Sequence, residues 1–196
     1  LIFIFKNWID LQILNLIKYW FIAVENDQSA NFDFIFSTPL PSILVTNILN
    51  YQDFLKLERS LEPFISILQI VSILTSFNFQ YDQFFSTPEL LDIYIQLLSF
   101  QNLRIVKFTL VILSQLLFKQ PELLPFYYSN NFKELLLTIF LPSDIDYISG
   151  VASFFLCEVA QLDPNERDSI IQTLFSFSIE GSRMENLTLY KSLFSF

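Results

Sequence analysis

The chain contains no histidine and one cysteine, and these two shortages exclude several kinds of active site. Zinc sites of the Cys/His type, Ser-His-Asp triads and Cys-His pairs all need residues that are missing here. The single Cys157 lies in the apolar run "FFLCEV" beside Glu158, which favours a core residue over a reactive thiol. We therefore expect a protein that is not an enzyme and binds no cofactor; only carboxylate chemistry is left to a catalytic alternative.

Glycine is also scarce, with 2 residues in the chain, so tight glycine turns between strands would lack their usual residues. Hydrophobic residues make up 53% of the sequence, which supplies the apolar faces that packed helices need. The composition therefore indicates an all-α protein.

Basic residues are outnumbered, 11 against 20 acidic ones, and the formal charge of −9 disfavours a nucleic-acid backbone as partner. Residues 63–81 carry no charge, but polar side chains interrupt this stretch and acidic residues flank it, so we expect no membrane insertion. Residues 1–24 carry three charges and no signal-peptide cleavage site. We expect a cytoplasmic location, with the nucleus as an alternative; a membrane-embedded helical protein is the more remote alternative.

A repeated unit of about 43 residues runs through the chain. Stretches that begin at Asn78, Pro121 and Pro164 align at intervals of 43 residues, and an earlier copy begins at Ser29, with an insertion around "NYQDFLKLERS". We predict repeats at 29–77, 78–120, 121–163 and 164–196, preceded by the last helix of an earlier repeat at 7–25. We interpret 1–196 as a single domain, a fragment of a longer array, because it begins without Met and ends abruptly.

Each unit is predicted to contain a short helix, a middle helix and a long third helix. In the second unit the third helix carries apolar residues at three- and four-residue spacing, Ile105, Phe108, Ile112 and Leu116. Apolar residues also occupy its other faces, so the third helices must be covered on more than one side. Stacked repeats provide that cover.

The pattern "ELLDIYIQLLSFQNLRIVKFTLVILSQLL", with its 43-residue period, resembles the armadillo repeat; the HEAT repeat is the nearest alternative. The resemblance implies a right-handed α-α superhelix, an armadillo-like solenoid of about four three-helix repeats. It also implies a non-enzymatic protein-interaction scaffold that binds a protein or peptide segment on the surface of the third helices. The residues that we expect to contact the partner are Ser72, Ser76, Lys107, Gln115 and Glu158.

A nuclear-transport adaptor similar to importin alpha is the alternative function. Importin alpha holds an extended peptide with a recurring Asn and, one turn earlier, a recurring Trp. By the resemblance, the Asn positions fall on Ser76, Gln115 and Glu158, and the Trp positions on Ser72, Val111 and Phe154. The regular Asn/Trp array is therefore absent, which lowers this function to second place.

The motif Phe-Ser-Thr-Pro occurs twice, ending at Pro39 and at Pro88. One interpretation is proline-directed phosphorylation; the other is a helix start, with Thr as the N-cap and Pro as the first helical residue. The third copy reads "YSNN" at 128–131, which keeps a capping residue and lacks the kinase motif. We therefore predict that Thr38 and Thr87 cap helices.

Carboxylates come close together in sequence at three places, Asp144/Asp146, Asp163/Glu166/Asp168 and Glu25/Asp27. These groups lie beside proline or at predicted helix N-termini, where the helix dipole favours negative charge. No EF-hand spacing and no glycine-rich phosphate loop is present. We predict helix starts there, with no metal site and no catalytic residue.

Overall fold

The computed structural model describes residues 15–19, 38–56, 61–77, 79–128, 132–143 and 146–180. These residues form helices joined by short connections, and no strand occurs among them, so the predicted all-α class is confirmed. The chain divides into two compact units, residues 1–116 and 117–196. The arrangement as four stacked repeats in one domain stays a prediction.

In the first unit, residues 15–19 are helical and lie within the helix predicted at 7–25. The helices that follow are α1 (Leu40–Leu49), α2 (Tyr51–Lys56), α3 (Glu62–Phe77), α4 (Pro88–Leu98) and α5 (Leu103–Lys119). A short 3-10 helix, Phe79–Phe84, precedes α4, so the predicted order of short, middle and long helix is confirmed for the copy at 78–120. Helix α2 lies in the predicted insertion.

The second unit begins with a 3-10 turn, Pro121–Leu123, which leads into α6 (Leu124–Tyr128). Helix α7 (Phe132–Leu135) passes into a π-helical turn, Leu136–Phe140, and α8 (Asp146–Leu162) and α9 (Pro164–Glu180) follow. The fourth copy therefore begins with one helix of 17 residues, where the two preceding copies begin with short segments. Pro164 is the first residue of α9 and no other proline follows within the helix, so no proline ends it early.

Helix α3 is the most buried part of the first unit. From Phe64 to Thr75, every residue except Gln69 is buried, whichever face of the helix it occupies. A helix that is apolar all round must be covered on more than one side, and this expectation is confirmed for α3.

An aromatic cluster forms part of the core of the second unit. The Phe132 and Phe155 ring centroids lie 5.0 Å apart, and the Tyr127 ring lies 6.2 Å from Phe132 and 5.8 Å from Phe155. These edge-on and tilted contacts join α6, α7 and α8. The aromatic run at 126–128 therefore contributes to packing through Tyr127.

The two Thr-Pro segments begin helices in different ways. The Thr38 hydroxyl oxygen accepts the backbone N–H of Leu40 at 3.2 Å, but Pro39 occupies the N-cap position of α1 and Leu40 is its first helical residue, so the prediction of Thr38 as the N-cap is wrong by one residue. Thr87 occupies the N-cap position of α4, but its side chain makes no capping hydrogen bond, so the prediction of a side-chain cap is wrong there. The first turn of α4 contains Glu89, which supplies negative charge at that end, whereas the first turn of α1 has no acidic residue. The third copy of this segment, at 129–131, lies outside the described residues.

The residues of the three predicted carboxylate groups that the structure describes lie at or near helix starts. Asp163 precedes α9 and its side chain accepts the backbone N–H of Asn165 at 2.9 Å, and Asp146 is the first residue of α8. The predicted helix starts are confirmed at both places. Asp144 and the group at 25–27 lie outside the described residues.

Within the described ranges, no helix is long and apolar enough to cross a membrane.

Candidate partner-binding site

Helices α3 and α5, the third helices of the first two predicted units, lie side by side. Near their N-termini, Arg104 Nη1 is 2.5 Å from Glu62 Oε1. Near their C-termini, the Thr75 hydroxyl donates to the side-chain oxygen of Gln115 at 2.6 Å. These contacts join residues 42 and 40 positions apart, so the two helices run in the same direction.

The two contacts differ in strength because they differ in exposure. Glu62 and Arg104 are both about half exposed, and ion pairs of that kind contribute roughly 0–1 kcal/mol. Thr75 is fully buried, so its hydroxyl has no access to water as an alternative partner. The Thr75–Gln115 hydrogen bond is therefore the stronger constraint on how α3 and α5 align.

Ser72 and Ser76, on α3, use their hydroxyls within the helix. Ser72 is buried and donates to the carbonyl oxygen of Gln69 at 2.8 Å. Ser76 is exposed and donates to the carbonyl oxygen of Ile73 at 2.6 Å. Of these two predicted contact residues, Ser76 is the one that the structure leaves accessible to a partner.

Lys107 and Gln115, on α5, are both half-buried. The Lys107 ammonium lies 5.8 Å from the ring centroid of Phe108, so its charge sits close to an aromatic surface. The side-chain oxygen of Gln115 is occupied by Thr75, which leaves its amide N–H groups as donors for a partner. The contact between α3 and α5 thus joins the helices that carry four of the predicted residues.

Glu158, the fifth predicted residue, belongs to α8 in the second unit. It is only 6% exposed, and burial raises the pKa of its carboxyl group. Phe154, one turn earlier on the same face, is 40% exposed. A partly exposed aromatic ring and a largely buried glutamate therefore lie one turn apart on α8.

Thr75 belongs to this site but is not among the contact residues predicted from the sequence. It lies 40 positions before Gln115, close to the repeat interval, and this spacing is the signal that could have identified it. Threonine in an apolar helix is not unusual, however, and its hydroxyl commonly bonds to the carbonyl one turn earlier. The Val71 carbonyl oxygen lies 3.0 Å from the Thr75 hydroxyl and is the alternative acceptor for its single proton, with Gln115 the nearer one.

A second group of polar side chains joins α6 and α7 to the start of α9. The Tyr128 hydroxyl donates to Asp163, and the Lys133 ammonium lies 2.6 Å from Glu166. The hydrogen bond from Tyr128 is the main cause that lowers the pKa of Asp163. The carboxylates of Asp163 and Glu166 are both partnered, so this group is a structural contact between helices.

Nothing in the described ranges groups three or more Asp, Glu, Cys or His side chains in a way that could hold a metal ion. Cys157 is buried, and burial, together with the charge of Glu158, raises the pKa of its thiol to about 12. A thiol with that pKa is almost entirely protonated at neutral pH and is a poor nucleophile. The core position predicted for Cys157 is confirmed.

We compared the chain with models of known protein families, with curated proteins and with solved structures, and none of the three comparisons finds a match.

Proposed function

We propose that this chain is part of an armadillo-like, right-handed α-solenoid that acts as a protein-interaction scaffold without enzyme activity. The contact between α3 and α5 supports the proposal. Parallel helices 40 to 42 residues apart in sequence are the arrangement that stacked three-helix repeats produce. A third-helix surface of this kind is long, regular and able to hold an extended partner segment.

The polar side chains on the third helices fit such a role. Ser76 is exposed, and Gln115 keeps amide N–H groups that can bond to the carbonyl groups of an extended peptide. An extended peptide exposes one carbonyl and one N–H per residue, so a surface with spaced donors can bind it through its backbone. The binding of a partner segment along the third helices is the function that we propose.

Selection from a library of random dodecapeptides displayed on phage tests this function. We expect the whole chain to enrich peptides whose synthetic copies bind in a fluorescence anisotropy titration. Ser76→Arg, which places a bulky side chain on α3, should weaken that binding at least about tenfold. The matched control is Ser42→Arg, because Ser42 is also an exposed serine in a helix but lies on α1.

The control should bind within a factor of about two of the original chain. Failure to enrich any peptide would remove the proposed function. Equal loss in Ser76→Arg and Ser42→Arg would place the binding away from the third helices. The nuclear-transport alternative stays a prediction, and titration with a basic nuclear-signal peptide tests it separately.

A further inference from the structure

Helix α5 exposes one narrow face to solvent. From Arg104 to Leu116, the residues that are not buried are Arg104, Lys107, Phe108, Val111 and Gln115. With 3.6 residues per turn, these five positions fall within an arc of about 100° around the helix axis. Every other residue of this stretch is buried, so the arc is the part of α5 that a partner can reach.

The accessible face of α5 is positively charged, in contrast with the chain as a whole. Helix α5 contains three basic residues and no acidic one, whereas the formal charge of the whole chain is −9. Two of these basic residues, Arg104 and Lys107, lie on the accessible face, one turn apart. Like charges at this spacing on a helix repel each other, so a negative group that contacts both is favoured.

One carboxylate of the protein already uses part of this positive surface. Glu62 on α3 contacts Arg104 through Nη1, at 2.5 Å. A guanidinium group has five N–H donors, and no other hydrogen bond joins that of Arg104 to a described residue. The Arg104 and Glu62 side chains are 47% and 49% exposed, so the ion pair is weak and open to competition from a second carboxylate.

The rest of the surface formed by α3 and α5 is uncharged. After the Glu62–Arg104 pair, the accessible residues of α3 include Gln69 and Ser76, and those of α5 beyond Lys107 are Phe108, Val111 and Gln115. Amide and hydroxyl groups and an aromatic ring suit the backbone and the neutral side chains of an extended segment. The charged groups of this surface are therefore two cations and one carboxylate, and an acidic side chain is complementary to them.

The net charge of the chain opposes an acidic partner only over distance. At physiological ionic strength, exposed charges more than about 8 Å apart are largely screened. The charge of −9 is spread over 196 residues, so it slows the approach of an acidic segment without cancelling a direct contact with Arg104.

We propose that Arg104 and Lys107 on α5 hold one aspartate or glutamate side chain of the partner segment. This inference rests on the proposed function and names the chemistry of one residue of the partner. The Nε–H and Nη2–H groups of Arg104 can donate a pair of hydrogen bonds to the two carboxylate oxygens, and Lys107 adds its charge from one turn away.

The same phage library tests the site when it is selected in parallel against the original chain, Arg104→Gln and Arg167→Gln. Arg167→Gln is the matched control, because Arg167 is also an exposed arginine in a helix and its loss changes the net charge equally. We expect the original chain and the control to enrich an aspartate or glutamate at one peptide position, and Arg104→Gln to lose that preference. Circular dichroism checks that each variant is folded.

Replacement of Glu62 tests the site in the opposite direction. Glu62→Gln removes the carboxylate that competes for Arg104, so a synthetic copy of the enriched peptide should bind roughly threefold to fivefold more tightly in a fluorescence anisotropy titration. Glu89→Gln is the matched control, because Glu89 is likewise an exposed glutamate in the first turn of a helix, α4. This control should change the affinity by less than about 1.5-fold.

A peptide whose acidic residue is changed to the corresponding amide identifies the contact itself. In the original chain this change should weaken binding roughly threefold to tenfold. In Arg104→Gln it should have little further effect, because the two changes remove the same contact. In Arg167→Gln the loss should equal that in the original chain.

The outcomes separate this inference from the proposed function. Peptides enriched without an acidic position, or weakened equally by the amide change in the original chain and in Arg104→Gln, would overturn the site and leave the scaffold function standing. Weaker binding by Glu62→Gln would also overturn it, because the ion pair would then support the surface instead of competing for it. A loss of the acidic preference in Arg167→Gln would assign that preference to overall charge, with the same consequence. If no peptide is enriched by any form of the protein, both proposals fail.

Discussion

Two buried threonines on neighbouring helices should respond in opposite ways to the same substitution. Thr75 on α3 and Thr109 on α5 are both 0% exposed. Thr75 donates its hydroxyl proton across to Gln115, whereas the Thr109 hydroxyl has no hydrogen-bond partner among the described residues. Replacing each by valine keeps the shape of the side chain and exchanges the hydroxyl group for a methyl group.

The expected free-energy changes follow from these partners. Thr75→Val loses a hydrogen bond that contributes about 1 kcal/mol net, so we expect the free energy of unfolding to fall by about that amount. Thr109→Val removes a buried hydroxyl that gains nothing from burial, so we expect stability to stay equal or rise by about 1 kcal/mol. For a chain of this length, 1 kcal/mol corresponds to a change in Tm of roughly 2–4 °C.

A double-mutant cycle isolates the contact between the helices. Gln115→Met keeps the length of the side chain and removes the acceptor, so Thr75→Val and Gln115→Met should be coupled by about 0.5–1 kcal/mol in urea unfolding. Thr109→Val combined with Gln115→Met should be additive within about 0.3–0.5 kcal/mol if the two sites are independent. Additive effects of Thr75→Val and Gln115→Met would refute the hydrogen bond that fixes α3 against α5.

Three further predictions follow from single side chains. Thr38→Ala should lower the free energy of unfolding by about 1 kcal/mol, because it removes the acceptor of the Leu40 N–H at the start of α1, and Thr87→Ala should lower it by less than about 0.5 kcal/mol. Cys157 should react with iodoacetamide at pH 8 far more slowly in the folded protein than in urea, because burial raises the pKa of its thiol to about 12. Tyr128→Phe should raise the pKa of Asp163 towards its ordinary value, measured by NMR titration.

The lowered pKa of Asp163 makes the effect of Tyr128→Phe on stability depend on pH. Because the folded pKa of Asp163 is lowered, its stabilising contribution is present above the unfolded pKa and is lost as pH falls through the folded pKa. The difference in Tm between the original chain and Tyr128→Phe should therefore shrink in acid; a difference that grows in acid would contradict the assignment. Equal losses for Thr38→Ala and Thr87→Ala, or rapid alkylation of folded Cys157, would contradict the other two predictions.

The sequence predicts the helices well because each boundary has a local cause. Pro88 begins α4 and Pro164 begins α9, and the apolar residues between such boundaries recur at helical spacing. The absence of a capping hydrogen bond from the Thr87 side chain could not be predicted in the same way. Whether a threonine oxygen reaches a backbone N–H depends on its rotamer, which neither the residue type nor its position determines.

The faces of the third helices could not be predicted because α3 is apolar on every side. Hydrophobic periodicity identifies an outward face only where one side of a helix is polar, and the small polar residues of α3 lie among buried ones. Ser72 and Ser76 look alike in sequence, yet one is covered and the other is exposed. Their difference depends on neighbouring helices that lie far away along the chain.

Exposed aromatic rings do not by themselves identify a binding site in this protein. The chain contains 24 phenylalanines, and Phe84, Phe118 and Phe175 are each more exposed than Phe154. Single apolar residues on a surface are common and need no functional explanation. Exposure therefore does not distinguish Phe154 from these other rings.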